Sequence, residues 1–270
     1  MRLMDMHHIR RGAGTPLLLV HGLGGSWRSW TPILEPLAAE REIIAVDLPG
    51  FGRTPALEGP TTIASLAEAV TGFLYAHDLT GVDVVGSSMG ARLVLELARR
   101  GVVGAVVSLD PGGFWRGWER TWFETTIGLS IRLIRRLQPV MPRITGSALG
   151  RTLLFPQLSP RPWALPGGLL LDEMRTYAAS PVFDELLRSL AHGPGQAGMA
   201  PGTSAGRIVI GWGRRDRICL PRQARRAIER FPDARLHWFP TSGHFPHGDV
   251  PRETVQLIFA STGTSSPAFR

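Results

Sequence analysis

Lysine is missing from all 270 residues, and the 30 basic side chains are arginines without exception. That removes Schiff-base lysine chemistry and the P-loop lysine from the functions open to the chain. Cysteine is nearly missing as well. A lone Cys219 excludes an internal disulfide framework and a multi-thiolate zinc site, and it reads as a small buried hydrophobe rather than a reactive thiol. No uncharged apolar run reaches about eighteen residues, so no stable membrane span is expected. The first residues carry Asp5, His7, His8 and three arginines and lack the apolar block of a secretory leader, so the expected compartment is cytoplasmic.

Acidic charge is the scarcer sign, 22 residues against 30, for a formal net charge of +8. Such an excess invites a nucleic-acid reading. The arginines are scattered, however, with only short groups such as Arg214, Arg215 and Arg217, or Arg222, Arg225 and Arg226. A solvated surface explains them, and no nucleic-acid partner is expected. His7, His8, His77, His192 and His237 share no spacing that suggests metal ligation, so no metal site is expected either.

What is present is a hydrophobic content of 43% with 19% charged residues, suited to a globular chain with a sizeable core. Short apolar runs at Leu17 to Val20, Ile43 to Val46, Val82 to Val85, Val102 to Leu109, Ile208 to Trp212 and Leu236 to Phe239 read as strands. They are too apolar for a half-exposed sheet and fit strands covered on both faces. A weaker edge strand is expected from Leu3 to Ile9. Helical patterns intervene at Ser29 to Glu40, Thr62 to Asp78, Met89 to Arg100, Pro221 to Phe231 and Pro251 to Ala260. Alternating strands and helices predict an α/β fold with a mostly parallel central sheet flanked by helices.

The alternation stops between about Pro111 and Ala200. Helical patterns occur there at Trp118 to Leu137, Gly146 to Phe155, Leu169 to Ala179 and Val182 to Ala191, with no convincing strand. The expected organisation is a core over 1–110, an inserted helical cap over 111–200, the rest of the core over 201–262, and a tail over 263–270. Trp115, Trp118, Trp122 and Trp163 fall in the insert and are candidates for an apolar substrate pocket.

Gly86-Ser87-Ser88-Met89-Gly90 is a G-x-S-x-G string lying between a strand and a helix. A plain helix N-cap would also place a serine there. A serine at such a crowded turn is held with its hydroxyl above the sheet edge, beside the free N–H groups of the helix start. His21-Gly22-Leu23-Gly24-Gly25 follows the strand ending at Val20. It is not G-x-G-x-x-G, and its backbone could present N–H groups to an oxyanion; Leu23 and Met89 are the candidate donors. Asp216 follows the strand ending at Trp212, and His244 follows the strand ending at Phe239. A serine needs a base, and the base needs an acceptor behind it. Ser88, Asp216 and His244 thus make a candidate nucleophile, acid and base at the carboxyl ends of parallel strands. Asp110, ending the preceding strand, is a second candidate for the acid. His247 reads as a loop or rim residue.

On these residues, with Asp47-Leu48-Pro49-Gly50-Phe51-Gly52-Arg53-Thr54 added, the chain resembles α/β-hydrolase-fold proteins over nearly its whole length, with a helical cap after the family's sixth strand. The resemblance implies a Ser-His-Asp hydrolase needing no metal or organic cofactor, with a structural role for the Asp47 turn. A serine rather than an aspartate at position 88 argues against the epoxide-hydrolase and haloalkane-dehalogenase branches. The expected activity is hydrolysis of a carboxylic ester or lactone of an apolar small molecule through an acyl-enzyme. Hydrolysis of a C–C bond in a β-diketone-type substrate stays open, as does a non-hydrolytic receptor or cyclase on the same scaffold.

Overall fold

A computed structural model describes residues 5–263. Seven strands run in chain order: β1 (His8–Arg11), β2 (Pro16–Val20), β3 (Glu42–Val46), β4 (Asp83–Ser87), β5 (Val106–Leu109), β6 (Ile208–Gly213) and β7 (Arg235–Phe239). They form one sheet in the order β1-β3-β2-β4-β5-β6-β7. Only β1 is antiparallel to its neighbour. Alternation splits each strand between two cores: Leu18, Val20 and Val84 pack on one face, and Leu17, Leu19 and Val85 on the other. Burial on both faces is what the unbroken apolar runs encode.

Several boundaries differ from the sequence reading. The tract expected to be one strand from Val102 enters the sheet only at Val106. Gly101 adopts a left-handed φ of 67°, and the N–H of Gly104 is taken by Val82, so Val102 and Val103 are buried in a turn instead. β1 starts at His8 rather than Leu3; Leu3 and Met4 lie outside the described residues, as does the expected tail apart from Gly263. The helix expected from Ser29 is a 3-10 turn, Trp27–Trp30, capped by Ser26 and followed by α1 (Thr31–Ala38). Thr62 and Ser65 form a reciprocal capping box at the start of α2 (Ile63–Ala76), satisfying two N–H groups that the helix cannot. Helix α3 (Met89–Arg99) follows β4 directly.

Between β5 and β6 the described residues hold five α-helices and no strand: α4 (Trp118–Leu137), α5 (Met141–Gly146), α6 (Ala148–Leu154), α7 (Gly167–Ala179) and α8 (Phe183–His192). The short α5, opened by Pro142, was not expected. This segment has a small core of its own, including Ile134, Met141, Phe155, Leu170 and Met174, into which Phe245 projects from the sheet side. The chain ends with α9 (Gln223–Arg230), a one-turn α10 (Pro246–Asp249) and α11 (Pro251–Ser261). No helix among the described residues is long and apolar enough to cross a membrane.

Candidate active site

Ser88 sits between β4 and α3 with φ 57° and ψ −112°, a conformation that L-residues rarely adopt and that costs on the order of 1–3 kcal/mol. Its flanking glycines make the turn possible. A Cβ on Gly86 would lie 2.3 Å from the carbonyl oxygen of Gly90, and one on Gly90 would lie 2.3 Å from that of Val20. The strand-to-helix turn therefore tolerates no side chain at either position, and Ser88 is left pointing away from the sheet.

His244 and Asp216 meet it there. His244 Nε2 lies 2.8 Å from Ser88 Oγ, and His244 Nδ1 lies 2.8 Å from Asp216 Oδ2. Because an ionised carboxylate can only accept, Nδ1 carries the proton and Nε2 is left as the acceptor for the serine hydroxyl. Asp216 Oδ1 accepts from the N–H groups of Ile218 and Cys219, at 2.7 and 3.0 Å. The loop bearing His244 is held by Asp249, whose Oδ2 accepts from Gly243 N at 2.8 Å and from Ser242 Oγ at 3.1 Å. Asp249 is not apparent from the sequence, since it comes after the histidine in a separate turn of helix.

Asp110 is fully buried, and its Oδ1 accepts from Gly213 N at 2.8 Å while Oδ2 has no partner. Burial first, and then the neighbouring Asp216, push its carboxyl well above the ordinary range, which favours its neutral form. No hydrogen bond among the described residues joins it to His244. The two candidate acids thus make different contacts in the same neighbourhood: one faces the imidazole, the other braces the β6 end.

The glycine turn packs against the serine. A Cβ on Gly22 would lie 3.2 Å from Ser88 Cβ. His21 Nε2 accepts from Leu48 N at 3.0 Å, so its Nδ1–H donates to Gly22 O at 2.7 Å. This bond fixes the carbonyl before Leu23. Leu23 and Met89 both border the cavity that opens over Ser88. Asp47 accepts from the backbone of Trp27 and Arg53 and from His7 Nδ1, tying three loops together at a distance from the serine in sequence.

That cavity is mostly apolar, with Trp115, Phe123, Ile127, Ile134, Leu158 and Phe183 in its wall. Of the four tryptophans expected to form it, only Trp115 does. Trp118 stacks under Arg222 on the outer surface, Trp122 donates Nε1–H to Arg217 O at 2.9 Å, and Trp163 is 49% exposed. On α4 the inward face is set by Phe123, Ile127 and Ile134, and Trp118 lies about 160° and Trp122 about 120° around the helix from it. Cys219 is buried as expected and also borders the cavity.

His247, read as a rim residue, is instead buried on α10, with its ring 4.7 Å from that of Trp30. Burial, with His244 nearby, pushes its imidazole down to about 3. Glu173 was missed altogether. Buried on α7, it accepts from Ser29 Oγ at 2.5 Å, and burial pushes its carboxyl up to about 7. The sequence reading found no metal-like histidine spacing, yet the fold does bring ligand atoms of Asp5, His8 and His77 within 4.8 Å of one another at the β1 edge; Asp5 is largely exposed there.

Residues 17–257 match the model of the alpha/beta hydrolase family. An uncharacterized protein of Mycobacterium tuberculosis is 27% identical over 99% of this chain and 82% of its own length. The 2-hydroxy-6-oxo-2,4-heptadienoate hydrolase of Pseudomonas putida is 27% identical over 94% of this chain and 90% of its own. Among solved structures, a thermophilic esterase from Thermogutta terrifontis superposes with a TM-score of 0.72 at 21% identity, covering 95% of this chain and 92% of that one.

Proposed function

The chain belongs to the alpha/beta hydrolase family, and from that premise we propose that it is a serine hydrolase of a carboxylic ester or lactone carried by an apolar small molecule. The observation that carries the reading is the unbroken line Ser88 Oγ, His244, Asp216, with 2.8 Å at each link, opening onto a mostly apolar cavity. Residues 111–200 act in this reading as a cap over the core, supplying most of that cavity's wall.

In the proposed reaction Ser88 Oγ attacks the carbonyl carbon while His244 Nε2 takes its proton. Asp216 holds the imidazole in the Nδ1–H tautomer and stabilises the imidazolium that forms. The developing oxyanion is received by the N–H groups of Leu23 and Met89, the latter at the start of α3, where the helix leaves its first N–H groups free. His244 then returns the proton to the departing alkoxide, leaving an acyl group on Ser88. A water, deprotonated by the same nitrogen, releases the acid and regenerates the hydroxyl.

One observation favours a second reading. The Pseudomonas putida relative is named as a 2-hydroxy-6-oxo-2,4-heptadienoate hydrolase and aligns with 94% of this chain, so C–C bond hydrolysis through the same serine is the alternative. The two are separated by assay: Ser88 labels with a fluorophosphonate in either case, and the ratio of kcat/KM for a series of p-nitrophenyl esters to that for a β-diketone-type substrate decides which bond is cleaved. Ser88→Ala is expected to abolish labelling and to lower kcat on the order of 10⁶-fold. Labelling that persists in that variant and maps to another serine defeats both readings.

A further inference from the structure

The apolar cavity is not the only space that reaches Ser88. A second, small recess shares Ser88, His244, Leu23, Leu158 and Tyr177 with it and then departs in another direction, toward Ser29, Glu173 and His247. It carries a larger share of polar groups in its wall than the first. Ser29 Oγ–H donates to Glu173 Oε1 at 2.5 Å, while no protein donor or acceptor among the described residues meets Oε2. Neither ring nitrogen of His247 has a hydrogen-bond partner, although that side chain is 1% exposed. Tyr177, on the same face of α7 one turn beyond Glu173, finds no partner for its hydroxyl among the described residues.

A buried carboxyl held by a single serine over a separation of 144 residues is an expensive arrangement when nothing pairs with it. Leucine at position 173 would fill the same place without that cost. Glu173 also does not shape the apolar cavity, which is lined by its neighbours Met174 and Tyr177 and not by Glu173 itself.

We propose that this recess is a polar subsite for an uncharged, hydroxyl-bearing part of the substrate, recognised by Glu173 and Tyr177, with the apolar cavity holding the remainder. The proposal rests on the hydrolase reading for the placement of the reacting bond at Ser88. Charge decides what the recess can take. An ammonium group would stand beside His244, which becomes a cation in each turnover, and would find Glu173 protonated below about pH 7. A carboxylate would find no arginine in the recess wall to pair with. A hydroxyl suffers neither penalty and matches the donors and acceptors present: it can accept from the carboxyl of Glu173, whose proton burial retains to about pH 7, and donate to the Tyr177 oxygen. The substrate so described has two unlike ends, an apolar chain on one side of the scissile bond and a short alcohol bearing a free hydroxyl on the other.

A matched pair of inert probes tests this without relying on turnover. N-(2-hydroxyethyl)hexanamide and N-propylhexanamide differ by one hydroxyl in place of a methyl. Calorimetry on the Ser88→Ala protein is expected to give the hydroxyl compound about tenfold tighter binding, Glu173→Leu in that background to erase the difference, and Glu173→Gln to keep most of it. Tyr177→Phe, which removes one oxygen and nothing else, is expected to reduce the preference severalfold and serves if the leucine variant does not fold. Equal binding of the two amides, or a preference that survives both Glu173→Leu and Tyr177→Phe, overturns the subsite. The corresponding esters, 2-hydroxyethyl hexanoate and propyl hexanoate, are then offered to the native protein. If neither is hydrolysed while the amide preference holds, the ester reading fails and the subsite stands.

Discussion

The sheet and the helical segment above it treat their apolar residues differently. In β6 every residue is buried, and Leu17, Leu18, Leu19 and Val20 of β2 are wholly inaccessible. Among the described residues nine large hydrophobic side chains are exposed, and eight of them, from Trp118 to Trp163, lie between β5 and β6. The sheet is a layer between two helical layers, so its side chains are spent on packing. The segment has only a small core of its own. Much of its apolar surface faces the cavity or the outside instead. A consequence follows for chemistry. The positions that the proposed reaction needs in fixed geometry, Ser88, Asp216 and His244, follow strand ends, where the close-packed interior resists displacement. Glu173, Ile127 and Trp115, which line the recess or the cavity, come from the segment or from its border.

The comparison breaks most sharply at the strand ends. Asp216→Asn leaves the shape of the site but presents the wrong group to His244 Nδ1, and kcat is expected to fall on the order of 10⁴-fold. Asp110→Asn replaces a carboxyl that burial keeps neutral by a neutral amide of the same shape that can still accept from Gly213 N, and a far smaller loss is expected. Steady-state rates of the two variants at matched thermal stability decide the matter. A larger loss in Asp110→Asn would mean that the wrong carboxylate faces the base.

Next in size is a contrast in pH response between a group in the segment and one in the core. Glu173 has its folded-state pKa raised to about 7 from 4.5. The stability it contributes is therefore fully present below pH 4.5 and is lost as pH rises through 7, by about 3 kcal/mol in all. His247 is shifted the other way, from 6.5 down to about 3. Its contribution is present above pH 6.5 and is lost as pH falls toward 3. Urea unfolding of Glu173→Gln is thus expected to gain on the native chain between pH 5 and pH 8, and His247→Phe to gain between pH 7 and pH 4. Parallel pH profiles for Glu173→Gln and the native chain would show that the Glu173 carboxyl is not buried in solution.

Sequence patterning anticipated the sheet because strands buried on both faces are written as unbroken apolar runs, and it singled out Ser88, Asp216 and His244, which the fold brings within hydrogen-bond reach, because each follows such a run directly. It failed where burial is created by docking. Glu173 stands in Leu170-Leu171-Asp172-Glu173-Met174 beside another acid, and only the seating of α7 over Ser29 separates the buried one from the exposed one. His247 looks like a loop residue until α10 turns it under Trp30. The tryptophans failed for a different reason. Their number suggested a pocket, but number carries no direction; the helical phase of α4 does, and it sends Trp118 and Trp122 outward.

That phase gives the smallest and most local test. Ile127 and Leu129 are two residues apart on α4, about 200° around the helix from one another. Ile127 lines the cavity, whereas Leu129 is 58% exposed. Truncating either to alanine removes a similar amount of hydrocarbon from the same helix with little change in helix propensity, so any difference in outcome reports the side on which it was removed. Ile127→Ala enlarges the space available to an acyl chain. One methylene in an apolar pocket is worth about 1–3 kcal/mol, so the ratio of kcat/KM for a hexanoyl or octanoyl ester to that for the acetyl ester is expected to change on the order of tenfold or more. Leu129→Ala should leave that ratio where it was and move the unfolding free energy by no more than about 0.5 kcal/mol. Measuring both variants on p-nitrophenyl acetate, hexanoate and octanoate, with urea unfolding alongside, separates the two faces. If the ratios shift equally in both, the helix adjusts as a unit and its outer face is not independent of the cavity. If neither shifts, the acyl chain does not run along α4, and the apolar cavity is filled from the Phe183 side instead.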